Sequence, residues 1–99
     1  MTQNQTKPGK INFAQVDSLR KHMLLTVSDM SKVLNVSRET YYTWLAGGYP
    51  RHKREIFVKH RVRQMLSLLT EKEWPPPHVI AASQEERLTK LLDVIGRNV

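Results

Sequence analysis

The chain has 99 residues, no cysteine and a formal net charge of +7, from 16 Lys/Arg against 9 Asp/Glu. That length supports one small domain with a single hydrophobic core, and the lack of cysteine excludes disulfide frameworks, thiolate zinc sites and cysteine nucleophiles. A pI of about 10.1 points to nucleic acid or an anionic surface as partner, and no apolar run approaches the roughly 20 residues of a membrane span.

Residues 1–11 are polar, interrupted by Pro8 and Gly9, and read as a flexible basic arm bearing Lys7 and Lys10. This opening stretch lacks the apolar segment of a signal peptide, so a soluble, cytoplasmic protein is expected. Helical spacing of Phe13, Val16, Leu19, Met23 and Leu24 predicts a first helix from about Asn12 to Leu24. Thr26, with Asp29 three residues later, makes a capping-box-like pair for a second helix over 27–34. That helix offers Met30, Val33 and Leu34 for burial. Asn35 tolerates the left-handed conformation that ends a helix. Ser37 caps the next helix, from Arg38 to about Ala46, and Gly47-Gly48 stops it. A short helix, a turn of about three residues and a second helix is a helix-turn-helix unit.

After GGYP, the basic segment RHKRE leads into a longer helix over about 54–70, with Val58, Val62, Met65, Leu66 and Leu69 on one stripe. Lys59 and Arg63 lie one turn apart beside it, where like charges repel in an isolated helix. A polyanion would relieve that repulsion. Pro75, Pro76 and Pro77 end the helix, so the helix-turn-helix domain is expected to span 12–72 and a Pro-rich linker 73–82. Ser83 and Glu86 form a second capping box for a last helix within 83–99, with Leu88, Leu91, Leu92 and Ile95 on one face. The fold class predicted is all-α: a small helical bundle containing a helix-turn-helix, with an additional C-terminal amphipathic helix.

Charge is unevenly placed. Residues 35–63 carry seven Lys/Arg against two acids, whereas residues 64–99 carry four against five. Basicity therefore surrounds the helix-turn-helix and stops near Arg63.

Residues 26–47, TVSDMSKVLNVSRETYYTWLAG, resemble the helix-turn-helix of the Cro and lambda-repressor-like (XRE-type) regulators. Thr26, Leu34, Val36, Ser37, Thr40, Trp44 and Gly47 match that pattern directly. Ser31 holds the small-residue position where the two helices cross, and Asn35 holds that of the turn glycine. Three positions depart. Val27 replaces a phosphate-touching Gln, Leu45 replaces Glu, and Tyr41 replaces a branched aliphatic residue. Tyr41 implies either a wider pocket between the helices or a rotated recognition helix with Tyr42 outside.

The resemblance implies binding of double-stranded DNA with residues 38–46 in the major groove. Arg38, Glu39, Tyr42 and Thr43 are then the candidates for base contact: Arg38 bidentate to guanine, Glu39 accepting from cytosine, Thr43 against a thymine methyl. Ser28, Ser37, Arg51, Lys53, Arg54, Lys59 and Arg63 are the candidates for phosphate contact, which positions a protein without reading sequence. Trp44 is expected in the core. The type further implies a transcriptional regulator, in the first place a repressor of phage or plasmid type, acting in the cytoplasm at the nucleoid of a prokaryotic cell or a phage-infected host. A homodimer would bring two recognition helices to successive grooves, and the Leu88, Leu91, Leu92, Ile95 stripe is its candidate interface, although that stripe also suits the chain's own core. RNA polymerase or another DNA-bound protein is a further candidate partner.

The alternative is a DNA-binding adaptor for phage or plasmid packaging, partition or recombination directionality, which oligomeric state would separate from a regulator. A basic protein that binds an acidic protein or a membrane face is a third class, and the membrane version lacks a wide apolar face opposite the charges. The four histidines, His22, His52, His60 and His78, have no metal-ligand spacing. No phosphate-cradling glycine loop, nucleophile elbow or paired carboxylates are present either. No catalytic residue, metal or cofactor is expected, and the chain is not read as an enzyme.

Overall fold

In the computed structural model, which describes residues 10–96, the chain is all-helical: α1 (Phe13–His22), α2 (Val27–Val33), α3 (Arg38–Leu45), α4 (His52–Thr70), α5 (Pro77–Ile80) and α6 (Gln84–Ile95). Short side chains set four of the starts. Asn12, Thr26, Ser37 and Ser83 each accept the backbone N–H of the residue three positions on, and Thr26/Asp29 and Ser83/Glu86 complete reciprocal capping boxes.

The ends of α1 to α4 share one device. Each helix is followed by a left-handed residue: Leu24 (φ 63°), Asn35 (φ 60°), Gly47 (φ 117°) and Lys72 (φ 59°). The next amide then bonds back to the last turn, from Leu25 to the Arg20 carbonyl, Val36 to Ser31, Gly48 to Thr43 and Glu73 to Leu68. Asn35 and Gly47 suit that conformation. Leu24 and Lys72 adopt it at a cost of roughly 1–2 kcal/mol each. The first helix consequently stops at His22, short of the expected Leu24, which turns outward at 37% exposure while Leu25 is buried.

α1, α2, α3, α4 and α6 meet around one core that includes Phe13, Leu19, Met30, Leu34, Tyr41, Trp44, Val58, Met65 and Leu91. α4 starts at His52, two residues before the expected Arg54, and its buried stripe is Val58, Arg61, Met65 and Leu68. Val62 and Leu69 are only partly buried, and Leu66 is 48% exposed. The expected apolar stripe is thus rotated, because an arginine occupies its centre.

Arg61 lies inside because of what it holds. Its guanidinium donates to the carbonyls of Ile95 and Gly96, Gln64 Nε2 donates to the same Ile95 carbonyl at 2.7 Å, and the Arg61 guanidinium lies over the Phe57 ring at 5.2 Å from its centroid. α6 has no basic residue in its own last turn, so α4 supplies the donors that a helix C-terminus needs. Burial pushes the Arg61 pKa down, yet a guanidinium stays protonated.

The stretch expected as a Pro-rich linker is packed. Trp74 is buried and donates through Nε1 to the Met23 carbonyl at 2.8 Å, Pro77 opens α5, and Val79 enters the core. Arg87 of α6 donates to the Val79 and Ile80 carbonyls. The candidate dimer stripe is likewise internal: Leu88, Leu91 and Ile95 are buried and Leu92 packs beside them, with α6 lying on α2, α4 and α5.

At the other end, Ile11 donates its N–H to the Tyr49 hydroxyl at 2.8 Å and Lys10 Nζ sits 4.1 Å from the centre of the Tyr49 ring. Both therefore belong to the fold rather than to an arm. The rest of the expected arm, residues 1–9 including Lys7, and residues 97–99 lie outside the described residues. Among the described residues no helix is long and apolar enough to cross a membrane.

Replacing Arg61 by Ala is expected to lower unfolding free energy by about 2–4 kcal/mol, from lost donors to two carbonyls and lost packing of its stem. Urea denaturation measures this. Arg61→Met, which keeps the stem, should lose less; equal losses would show that the bonds contribute most of the effect.

Candidate nucleic-acid interface

α3 has only eight residues, too few to be stable alone, so its inner face determines where its outer face points. Tyr41 is fully buried and Trp44 nearly so. The Tyr41 hydroxyl donates to Asp17 Oδ1 at 2.8 Å, and Arg20 donates to the same carboxylate from Nε at 2.7 Å and Nη2 at 3.3 Å. Arg20 Nη1 also reaches the Leu25 carbonyl at 2.9 Å. The Tyr41 side chain thus reaches α1, where a carboxylate receives the phenol. Phe13 completes this support, packing against the Trp44 ring at 5.1 Å and the Tyr49 ring at 5.9 Å.

Charge within this cluster is strongly biased. The Arg20 hydrogen bond holds the Asp17 carboxyl below its ordinary range, with the Tyr41 hydroxyl adding to it and burial opposing both. Burial, then the bond to Asp17, pushes the Tyr41 phenol far up, so it remains a donor. Where α2 crosses α3, Ser31 is buried and returns its hydroxyl to the Val27 carbonyl at 2.8 Å.

With Tyr41 inward, the rotation of about 100° per residue turns Glu39 and Tyr42 outward, and Arg38, as the first residue of α3, is exposed with them; Tyr42 is 54% exposed. Thr43 is exposed too, but its hydroxyl donates to the Glu39 carbonyl at 2.9 Å. A Cβ on Gly48 would stand 2.9 Å from the Thr43 methyl. That close approach explains the second glycine of the pair, as the left-handed turn at Gly47 explains the first. Ser37 accepts from the Thr40 N–H and donates to Thr40 Oγ1 at 3.0 Å. Ser28, in the first turn of α2, is partly buried.

The cations expected to touch phosphate fall into two groups. Arg51, Lys53 and Arg54 line a concavity of about 750 Å³ together with Asn35, Ser37 and Thr40, so the start of α4 faces the start of α3. Arg54 is partly committed there, donating to the Asn35 carbonyl at 3.1 Å across the turn. Lys59 and Arg63 line a different groove, between α1 and α4. Lys59 pairs with Glu55 at 3.6 Å. The phosphate-contact candidates from Arg51 to Arg63 therefore do not share one surface, because positions 59 and 63 lie on another face of α4. Glu55 also accepts from the Tyr49 hydroxyl at 2.5 Å, and that bond chiefly lowers its pKa, with Lys59 assisting. Among the described residues no three His, Asp or Glu side chains gather as a metal site.

Asp17 and Arg20 support this surface and are not among the residues that the sequence singles out. The Asp17–Arg20 spacing on one helix was a visible signal; their link to Tyr41, 24 positions away, was not. The chain matches no family model, no curated protein and no solved structure.

A carboxyl whose folded pKa is lowered stabilises the fold above its unfolded value, about 4, and that stabilisation is lost as pH falls through the folded value. Acid titration of thermal unfolding should therefore show the wild type losing stability below about pH 4. Asp17→Asn should be less stable at neutral pH and have a flatter profile below that point. Parallel profiles would remove Asp17 as a titrating contributor.

Proposed function

We propose that the protein binds double-stranded DNA in a sequence-dependent way, with α3 as the recognition helix. The observation that carries this reading is the division of α3 into two faces. Tyr41 and Trp44 are buried, whereas Arg38, Glu39 and Tyr42 are exposed beside a concavity bearing Arg51 and Lys53. A solvated helix face needs no cationic concavity at its N-terminal end, whereas a helix entering a groove needs cations for the flanking phosphates.

In this reading Arg38 and Glu39 reach base edges first, and Tyr42 lies one turn further along. Thr43, its hydroxyl bonded to the Glu39 carbonyl, offers little beyond van der Waals contact. Arg51 and Lys53 hold the backbone, while Arg54 braces the turn between α2 and α3. Ser37 and Ser28 are auxiliary phosphate donors. Lys59 and Arg63 take no part at this surface. The role proposed is that of a transcriptional regulator, in the first place a repressor that excludes other proteins from its site. A homodimer would need a surface other than Leu88, Leu91 and Ile95, which are buried within one chain.

Selection of bound sequences from a random duplex pool at about 150 mM salt, where purely electrostatic binding is already weak, tests the proposal. An enriched inverted repeat with half-sites about 34 Å apart would identify a dimeric reader. A single enriched half-site would identify a monomeric one, and no enrichment would overturn sequence recognition. DNA-coating or ring-like multimers would favour the adaptor role over the regulator.

Arg38→Ala is expected to cost about 1–3 kcal/mol on the selected site and to relax preference at one base pair; equal loss on random DNA would reduce Arg38 to an anchor. For Lys53→Ala, the logarithmic salt dependence should become shallower by about one unit with little change in preference. An unchanged slope would take Lys53 out of the interface.

A further inference from the structure

The groove between α1 and α4, of about 460 Å³, is built differently from the concavity at α3 and shares no lining residue with it. Ile11, Val62 and Leu66 contribute apolar surface, and Lys10, Lys59 and Arg63 contribute charge; among the described residues no Asp or Glu lines it. Leu66 is 48% exposed although it is the kind of residue a helix normally turns inward. Lys59 is partly neutralised by Glu55. Arg63, by contrast, is exposed and makes no hydrogen bond or ion pair among the described residues.

A phosphate backbone would gain from the cations but nothing from the apolar strip between them. A protein helix with an apolar stripe flanked by carboxylates satisfies both features at once, its stripe covering Ile11, Val62 and Leu66 while its acids meet the surrounding cations. From Lys59 to Leu66 the groove follows about two turns of α4, so a partner helix of about three turns would suffice.

We propose that this groove docks an acidic amphipathic helix of a partner protein. The site is independent of the DNA-binding reading: it stands or falls on its own lining.

The test uses the full ¹⁵N-labelled chain titrated with a peptide of about four turns, carrying leucine at helical i, i+3, i+7 spacing and glutamate at most other positions. A scrambled peptide of equal composition is the control, and a random duplex is run in parallel. The expected result is that amide shifts cluster at Ile11, Val62, Arg63 and Leu66. The scrambled peptide should bind at least about tenfold more weakly, and Arg63→Glu and Leu66→Ser should each weaken binding of the patterned peptide by about tenfold. Thermal unfolding of both variants should match the wild type, since both side chains are exposed.

Equal binding of the scrambled peptide would overturn the proposal by showing charge attraction alone. So would shifts centred on Arg51 and Lys53, or no shifts at millimolar peptide. Stronger perturbation of the groove by duplex than by peptide would assign it to DNA instead, and concentration-dependent shifts of the groove in the protein alone would assign it to a second copy.

Discussion

The carboxylate of Asp17 is the point on which the outer surface depends. It receives Tyr41 from α3 and Arg20 from its own helix, and Arg20 in turn holds the Leu25 carbonyl beyond the left-handed turn at Leu24. One side chain thus joins α1, the approach to α2, and α3. The geometry is costly to disturb because each partner is wholly or largely removed from water and would be left unsatisfied. Since α3 is short, its rotation about its own axis follows from the single fact that Tyr41 points to Asp17. The exposure of Glu39 and Tyr42 is then a consequence of helical period, whereas Arg38 is exposed because it opens the helix.

Local chemistry was legible in the sequence, and long-range chemistry was not. Thr26 with Asp29, Ser37, Ser83 with Glu86, Asn35 and the Gly47-Gly48 pair each act within a few residues, and each marks a helix start or end where expected. Leu24 and Lys72 take the same left-handed conformation as Asn35 and Gly47 without advertising it, because tertiary packing overrides their intrinsic preference. α5 escaped notice for a related reason: three consecutive prolines signal extended chain, yet the last of them is well suited to begin a helix. Of the candidate surface, the inward and outward positions of α3 followed from the motif. Its support from Asp17 could not be read, because nothing in the sequence marks a carboxylate as the partner of a phenol 24 residues later.

Charge teaches the same lesson at larger scale. The count of cations over residues 35–63 gave the sign of the surface but not its division. Within α4 alone the cations have three fates. Lys53 and Arg54 turn toward α3, Lys59 and Arg63 toward α1, and Arg61 inward to the end of α6. Helical period separates the first two groups. The third is an arginine whose stem behaves as a core residue and whose head behaves as a helix cap. Counted as surface charge, it overstates the basic face and displaces the apolar stripe, so that Leu66 reads as core from the sequence but lies at the rim of a groove.

Burial of the α6 stripe changes what a second protein could attach to. Had Leu88, Leu91 and Ile95 been available, self-association would have been the natural source of additional affinity for the proposed DNA ligand. One domain with one helix in one groove buries only about 600–1,000 Å² of protein surface, so a small reader gains selectivity chiefly through a neighbour. With that stripe internal, the neighbour must use another surface. The α1/α4 groove and the concavity at α3 both carry cations, and had they overlapped, an acidic partner would have competed with DNA for the same charges. They share no residue. The two proposed ligands would therefore draw on different cations, although the surfaces adjoin where Lys10 of the groove lies 4.1 Å from the ring of Tyr49, which lines the concavity. On the two proposals made above, separate groups of cations on α4 would serve DNA at one surface and a protein partner at the other.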